Sequence, residues 1–224
     1  MKTIVITGAG KGIGKSTAIL AASKGYTVIG LSRNIDKLKN IKNLYPYSID
    51  ITKEKSIKKA TKTIKSKFSK IDILINNAGT LLNLPFIKSS IEEFKKVYEV
   101  NVFGLAEVTR LFLPLINNDG HVINISSMGG VQGSSKFPGL SAYSSSKGAV
   151  ITLTEILSEE YKNTGPAFNV LALGAVQTEM LNQAFPGYKA PISSEEFAVY
   201  LLDFALTGHK FYNGKILPIS SSNP

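Results

Sequence analysis

Tyr143 and Lys147 stand four residues apart in Ala142-Tyr143-Ser144-Ser145-Ser146-Lys147-Gly148-Ala149. In a helix this spacing sets phenol and ammonium on one face, one turn apart. A cation beside a phenol favours phenolate and lowers a pKa that ordinarily lies at about 10. A tyrosine tuned in this way trades a proton near neutral pH, which carbonyl reduction and alcohol oxidation both require. Tyr-x-x-x-Lys also arises by chance in many helices, so the pair acquires meaning only from what surrounds it.

The start of the chain supplies that context. Lys2 to Thr7 reads as a short β-branched strand, and Thr7-Gly8-Ala9-Gly10-Lys11-Gly12-Ile13-Gly14 leads from it into an alanine-rich helical stretch. Strand, glycine turn and helix start make a site for phosphate oxygens, because bare N–H groups and the positive end of the helix dipole face the anion. Glycine is needed where the backbone turns tightly and approaches a pyrophosphate. The spacing from Gly8, Gly12 and Gly14 is G-x-x-x-G-x-G rather than the commoner G-x-G-x-x-G. A glycine-rich hairpin without a ligand is the bland alternative, but the strand before it and the helix after it are what a nucleotide site demands.

Taken together, these residues resemble the short-chain dehydrogenase/reductase family over nearly the whole chain. Thr7-Gly8-x-x-x-Gly12-Ile13-Gly14 resembles its cofactor loop, and Asp50, with Ile51 beside it, its adenine contact after the third strand. Asn76-Asn77-Ala78-Gly79 matches the segment ending the fourth strand, and Val176 and Thr178 the loop that packs on and hydrogen-bonds the nicotinamide. Asn101, Ser127, Tyr143 and Lys147 match the catalytic tetrad. The resemblance implies that Tyr143 gives its proton to a carbonyl oxygen while Ser127 polarises that carbonyl. Lys147 lowers the Tyr143 pKa and bonds the nicotinamide ribose, and Asn101 holds a water that relays protons. Two departures stand out: Leu173-Gly174 replaces the family's Pro-Gly, and the substrate-covering segment 179–193 is short.

Cofactor choice is legible at the end of the second strand. NAD sites there carry a carboxylate for the ribose 2′-OH, whereas this chain has Ser32-Arg33. A guanidinium suits a 2′-phosphate, and Lys11 in the glycine loop can reach the same group. NADP(H) is therefore expected ahead of NAD(H).

Alternating strand and helix patterns predict one doubly wound α/β domain over residues 1–224, of the Rossmann type, with a seven-stranded parallel sheet flanked by helices. Strands are expected at Lys2–Thr7, Thr27–Leu31, Tyr47–Asp50, Ile71–Ile75, His121–Ile125, Phe168–Leu173 and Lys215–Ile219. Ser90 with Glu93 and Ser193 with Glu196 read as capping boxes, the first opening a long helix to Leu115. The chain has no Cys and only two His, so disulfides and thiol chemistry are excluded and no metal site is expected. No signal peptide or membrane span is read, and the cytoplasm is the expected compartment.

The net charge of +10 invites a nucleic-acid reading, since eleven lysines fall between Lys37 and Lys70. Arginine, the residue for bidentate recognition, occurs only twice in the chain, so a solvated helix face is the better account and no specific nucleic acid is expected. The expected partner is a small-molecule ketone, aldehyde or secondary alcohol. Phe103, Leu111, Ile151 and Leu157 exceed what one sheet contact needs, which with the family precedent predicts a homodimer or homotetramer. The alternatives are a 3-oxoacyl carrier-protein reductase and a non-catalytic NADP(H)-sensing regulator or scaffold.

Overall fold

The computed structural model describes residues 1–220. Its strands are β1 (Thr3–Thr7), β2 (Thr27–Ser32), β3 (Leu44–Ser48), β4 (Ile71–Asn76), β5 (Ile116–Ser127), β6 (Ala167–Leu173), β7 (Val176–Gln177), β8 (Ile192–Ser193) and β9 (Lys215–Ile219). The helices are α1 (Gly12–Ser23), α2 (Glu54–Lys65), α3 (Ile91–Tyr98), α4 (Leu105–Phe112), α5 (Ser141–Glu160), α6 (Glu179–Ala184) and α7 (Ser194–Thr207). Seven strands form one parallel sheet in the order β3-β2-β1-β4-β5-β6-β9. β7 and β8 pair separately, as a short ribbon at the base of the segment that includes α6.

Side chains alternate across the pleat, so each strand feeds two cores. Ile4 and Ile6 of β1 pack with Ala18, Ala21 and Leu201 from α1 and α7 on one face. Val5 packs on the other, with Ile57 and Ile64 of α2 and Val108 and Phe112 of α4. Because β1 lies between β2 and β4, the chain winds outward to β3 and then crosses back. That reversal opens a crevice at the carboxyl ends of β1 and β4, where a doubly wound sheet takes its ligand.

Three boundaries differ from expectation, each for a local reason. β3 runs Leu44–Ser48 rather than Tyr47–Asp50: it is an edge strand, where the missing N–H of Pro46 is tolerated, and Asp50 lies beyond its end. β5 begins at Ile116, ahead of the turn residues Asn117-Asn118-Asp119-Gly120, and its register against β4 shifts there. The long helix from Ile91 is interrupted by a π-helical segment, Glu99–Gly104, which holds Asn101. Such bulges often mark functional positions. Both capping boxes form as read, at Ser90 and Ser193. Ile151, counted toward an oligomer face, is instead buried within the chain's own core beside Leu105 and Val170. Leu111 and Leu157 likewise pack against the chain's own core, and the exposed apolar residues of these helices are Ile91, Phe103 and Ile156.

Candidate functional site

Gly8 directly follows β1 with φ +68°, and a Cβ on it would lie 2.9 Å from the Ala78 Cα. Gly14 has no room for one either, because the Asn77 amide and the Gly8 carbonyl occupy the space. Asn77 stitches the crevice: its Nδ2 donates to the Thr7 carbonyl at 3.1 Å, and the Thr7 hydroxyl accepts from Asn77 N and Ala78 N, both at 3.0 Å. The helix that follows is left open. Lys11 at the N-cap of α1 makes no side-chain cap and the first turn carries no acid, whereas Ser90 and Ser193 close α3 and α7 with capping boxes. Uncapped N–H groups above a glycine cradle fit a dinucleotide pyrophosphate.

One cavity of about 540 Å³ runs along the crevice. Gly8, Lys11, Gly12, Ile13, Ser32, Arg33, Asp50, Ile51, Asn77, Ala78, Gly79, Ser127, Tyr143, Lys147, Val176 and Thr178 all line it. Of the residues expected at the site, Gly14 and Asn101 lie behind the lining. Arg33 is exposed and makes no salt bridge among the described residues, which leaves its guanidinium free for a ligand. Burial alone would raise the Asp50 pKa, but bonds from the Thr52 N–H at 3.0 Å and hydroxyl at 2.8 Å, with the Arg33 charge, bring it below the usual value. Thr178 caps α6, its hydroxyl accepting from Leu181 N at 3.2 Å.

At the centre, Tyr143 and Ser127 share a hydrogen bond between their hydroxyls, and the Lys147 Nζ lies 5.8 Å from the Tyr143 ring centroid. Here one expectation is corrected. Burial of the hydroxyl raises the Tyr143 pKa, offset only in part by Ser127, although the ring itself is half-buried. The Lys147 ammonium is turned to the Ile125 carbonyl at 2.8 Å and is itself desolvated, with its pKa depressed to about 8.

Asn101 is fully buried, and its amide is engaged at both ends. Its Oδ1 accepts from Thr80 N at 2.8 Å, while its Nδ2 donates to the Thr80 carbonyl and the Ser146 hydroxyl, each at 2.9 Å. The side chain therefore braces the loop after β4 against α5. Gly79 leaves space beside it: a Cβ there would stand 3.4 Å from the Asn101 Oδ1 and 3.5 Å from the Lys147 Nζ. Leu173, where the family has proline, carries an N–H, and β6 pairs through it with Ser127 of β5 and Ile219 of β9.

Thr80, Ser146, Leu81, Leu82, Met180 and Leu181 join the site without having been singled out as site residues. The usable signal for Ser146 was its place immediately before Lys147; the others are ordinary residue types in loops. Ala184 lines the cavity, as its place in the covering segment suggests, whereas Phe185, Pro186 and Tyr188 do not. No helix among the described residues is long and apolar enough to cross a membrane.

The family model for short chain dehydrogenases matches residues 2–189. A 3-oxoacyl-[acyl-carrier-protein] reductase of Thermotoga maritima is 33% identical over 189 residues, 80% of this chain and 76% of its own length. A 3-ketoacyl-(acyl-carrier-protein) reductase from Brucella melitensis, solved with NADH, superposes with a TM-score of 0.89 at 24% identity, covering 99% of this chain and 98% of its own. ElxO, solved with NADP bound, gives 0.84 at 27% identity, covering 97% and 96%. The relatives thus include both NADH- and NADP-bound structures on the fold described above. The chain belongs to the short-chain dehydrogenase family and is an oxidoreductase.

Proposed function

We propose that this protein is an NADP(H)-preferring carbonyl reductase that acts in the cytoplasm on ketones or aldehydes of modest size. The observation that carries the reading is Tyr143, hydrogen-bonded to Ser127 and 5.8 Å from the Lys147 Nζ at its ring centroid, in a cavity that continues to Arg33, which forms no salt bridge among the described residues. NADPH supplies the hydride when bound. Tyr143 gives its phenolic proton to the carbonyl oxygen, and the Ser127 hydroxyl donates to the same oxygen as negative charge develops on it. Lys147 holds a positive charge beside both, and Asn101 keeps the neighbouring loop in place. Residues 179–193 cover the substrate. Phe103 and Ile156, 61% and 59% exposed, are the apolar surface on which a homodimer or homotetramer would form; a monomer mass in light scattering would refute that assembly.

The test is consumption of NADPH with a panel of carbonyls by wild type and Tyr143→Phe. The variant is expected to bind cofactor normally and to lose turnover by about 10² or more. Equal turnover would remove Tyr143 from the acid role. A 3-oxoacyl carrier-protein reductase is the second reading, favoured by the name of the Thermotoga relative. A short acetoacetyl thioester in the same panel separates the two. Cofactor binding without turnover of anything would favour a sensor or scaffold.

A further inference from the structure

Three segments far apart in sequence meet at Asn83, in the loop between β4 and α3. Its Nδ2 donates to the Ala184 carbonyl at the end of α6 at 2.9 Å, across 101 positions. Its Oδ1 lies against Gly139, in the loop between β5 and α5, so closely that a Cβ on Gly139 would collide with it. Leu84 N–H donates to the Gly139 carbonyl at 2.9 Å, tying the same two loops together. Gly139 has φ +86°, so a side chain there is opposed both by its own backbone and by Asn83.

Next to this junction the cavity wall is largely apolar, formed by Leu81, Leu82, Met180 and Leu181, with the uncharged Gln183 and Asn83 as its polar members. Apart from Lys147, the charged lining residues sit toward the other end. Lys11 belongs to the glycine turn, and Arg33 and Asp50 follow β2 and β3. The Glu179 carboxylate faces Gly12, lying 3.6 Å from where a Cβ on that glycine would be. The reacting end therefore offers no cation to a carboxylate or phosphate substrate other than the lysine the chemistry already uses.

We propose that Asn83 is a specificity-determining clasp, holding the β4–α3 loop to α6 and enclosing an apolar chamber that selects small uncharged ketones and aldehydes. The proposal rests on the reductase reading above. Asn83 is exposed, so its single hydrogen bond is weak enough to open and re-form in each turnover. A substrate too long for the closed chamber forfeits that bond, and a bond of this kind is worth about twofold to tenfold in selectivity.

The experiment compares wild type, Asn83→Ala and Gly139→Ala on straight-chain aldehydes of increasing length, a keto acid, and an acetoacetyl thioester of N-acetylcysteamine. Cofactor affinity is followed by fluorescence titration. Wild type is expected to prefer short uncharged aldehydes over the keto acid and the thioester. In Asn83→Ala the long-to-short ratio of kcat/KM is expected to rise about fivefold with cofactor affinity unchanged. Gly139→Ala, which pushes the same contact apart, is expected to move the ratio in the same direction. An unchanged ratio in an Asn83→Ala protein that melts like wild type overturns the clasp. A wild type that prefers the keto acid or the thioester overturns the chamber's selectivity. If cofactor binds and no carbonyl is reduced, the reductase reading itself fails and the clasp's role in specificity falls with it.

Discussion

Lys147 and His121 are both ionisable, both almost sealed from water at 4% and 1% exposure, and both anchored to β5. His121 stands on the strand itself, and the Lys147 Nζ reaches it at the Ile125 carbonyl. Burial depresses both pKa values, Lys147 to about 8 and His121 to about 4. Their surroundings differ. The His121 Nδ1 bonds the Ala205 carbonyl at 3.2 Å, which fixes the proton on that nitrogen, and its Nε2 accepts from Asn169 at 3.0 Å. Asn169 goes on to the Tyr212 carbonyl and Lys215 N, so this network fastens the last strand to the sheet. Lys147 has one carbonyl partner and faces an open cavity. A shifted pKa is common to both sites; what separates function from structure is whether donor capacity is left pointing at a cavity.

The difference has an energetic side. A depressed pKa means that the folded state resists the proton, so stability is lost as pH falls from the unfolded to the folded value. For Lys147 that window lies between 10.5 and about 8, so at pH 7 the charged lysine already weakens the fold. The size is on the order of 3 kcal/mol, with about 1 kcal/mol returned by the Ile125 bond. The prediction that would most directly break the comparison is Lys147→Met. Turnover is expected to fall by about 10²–10³, while stability at pH 7 rises by about 2 kcal/mol. Denaturant unfolding alongside NADPH turnover reads both, and a variant less stable than wild type would show that Lys147 supports the fold as His121 does.

For His121 the window lies between 6.5 and about 4, so at neutral pH it weakens nothing. Acidification from pH 7 to pH 4 is expected to remove on the order of 3 kcal/mol through this residue. His121→Gln keeps a polar side chain but no titration. Its unfolding free energy is expected to depend less on pH across this range than that of wild type, and parallel curves for the two proteins would refute the assignment.

The contrast was only half legible in the sequence. Gly8, Gly12, Asn77 and the Tyr143–Lys147 pair could be read because each is a local string whose residue types answer to backbone geometry or helix spacing. The parallel sheet could be read from the alternation of strand and helix patterns. The direction of the Tyr143 pKa could not, because it depends on how deeply the folded chain buries the hydroxyl and on its contact with Ser127 from another element. Asn101 against Thr80 and Asn83 against Ala184 were invisible for the same reason: these are long-range contacts between common residue types. The start of β3 was misplaced because a proline stops a central strand but not an edge one.

Arg33 sharpens the comparison from a third side, as a charge at the site that the fold does not bury. It is exposed, it forms no salt bridge among the described residues, and its charge helps to hold the Asp50 carboxyl below its usual pKa. Removing it therefore leaves folding within about 0.5 kcal/mol of wild type, the usual scale for a surface change. Binding is another matter, because a charge-assisted bond to a 2′-phosphate is worth about 1.5–3 kcal/mol, at least tenfold in affinity. Arg33→Ala is expected to weaken NADPH by about tenfold or more and to leave NADH nearly unchanged, since NADH lacks that phosphate. Titrating both cofactors into both proteins measures this, and equal affinity of wild type for NADPH and NADH would end the NADP(H) preference. A fall in NADH affinity as large as that in NADPH would mean that Arg33 shapes the adenine end of the cavity as a whole, its effect then belonging with His121 rather than with Lys147.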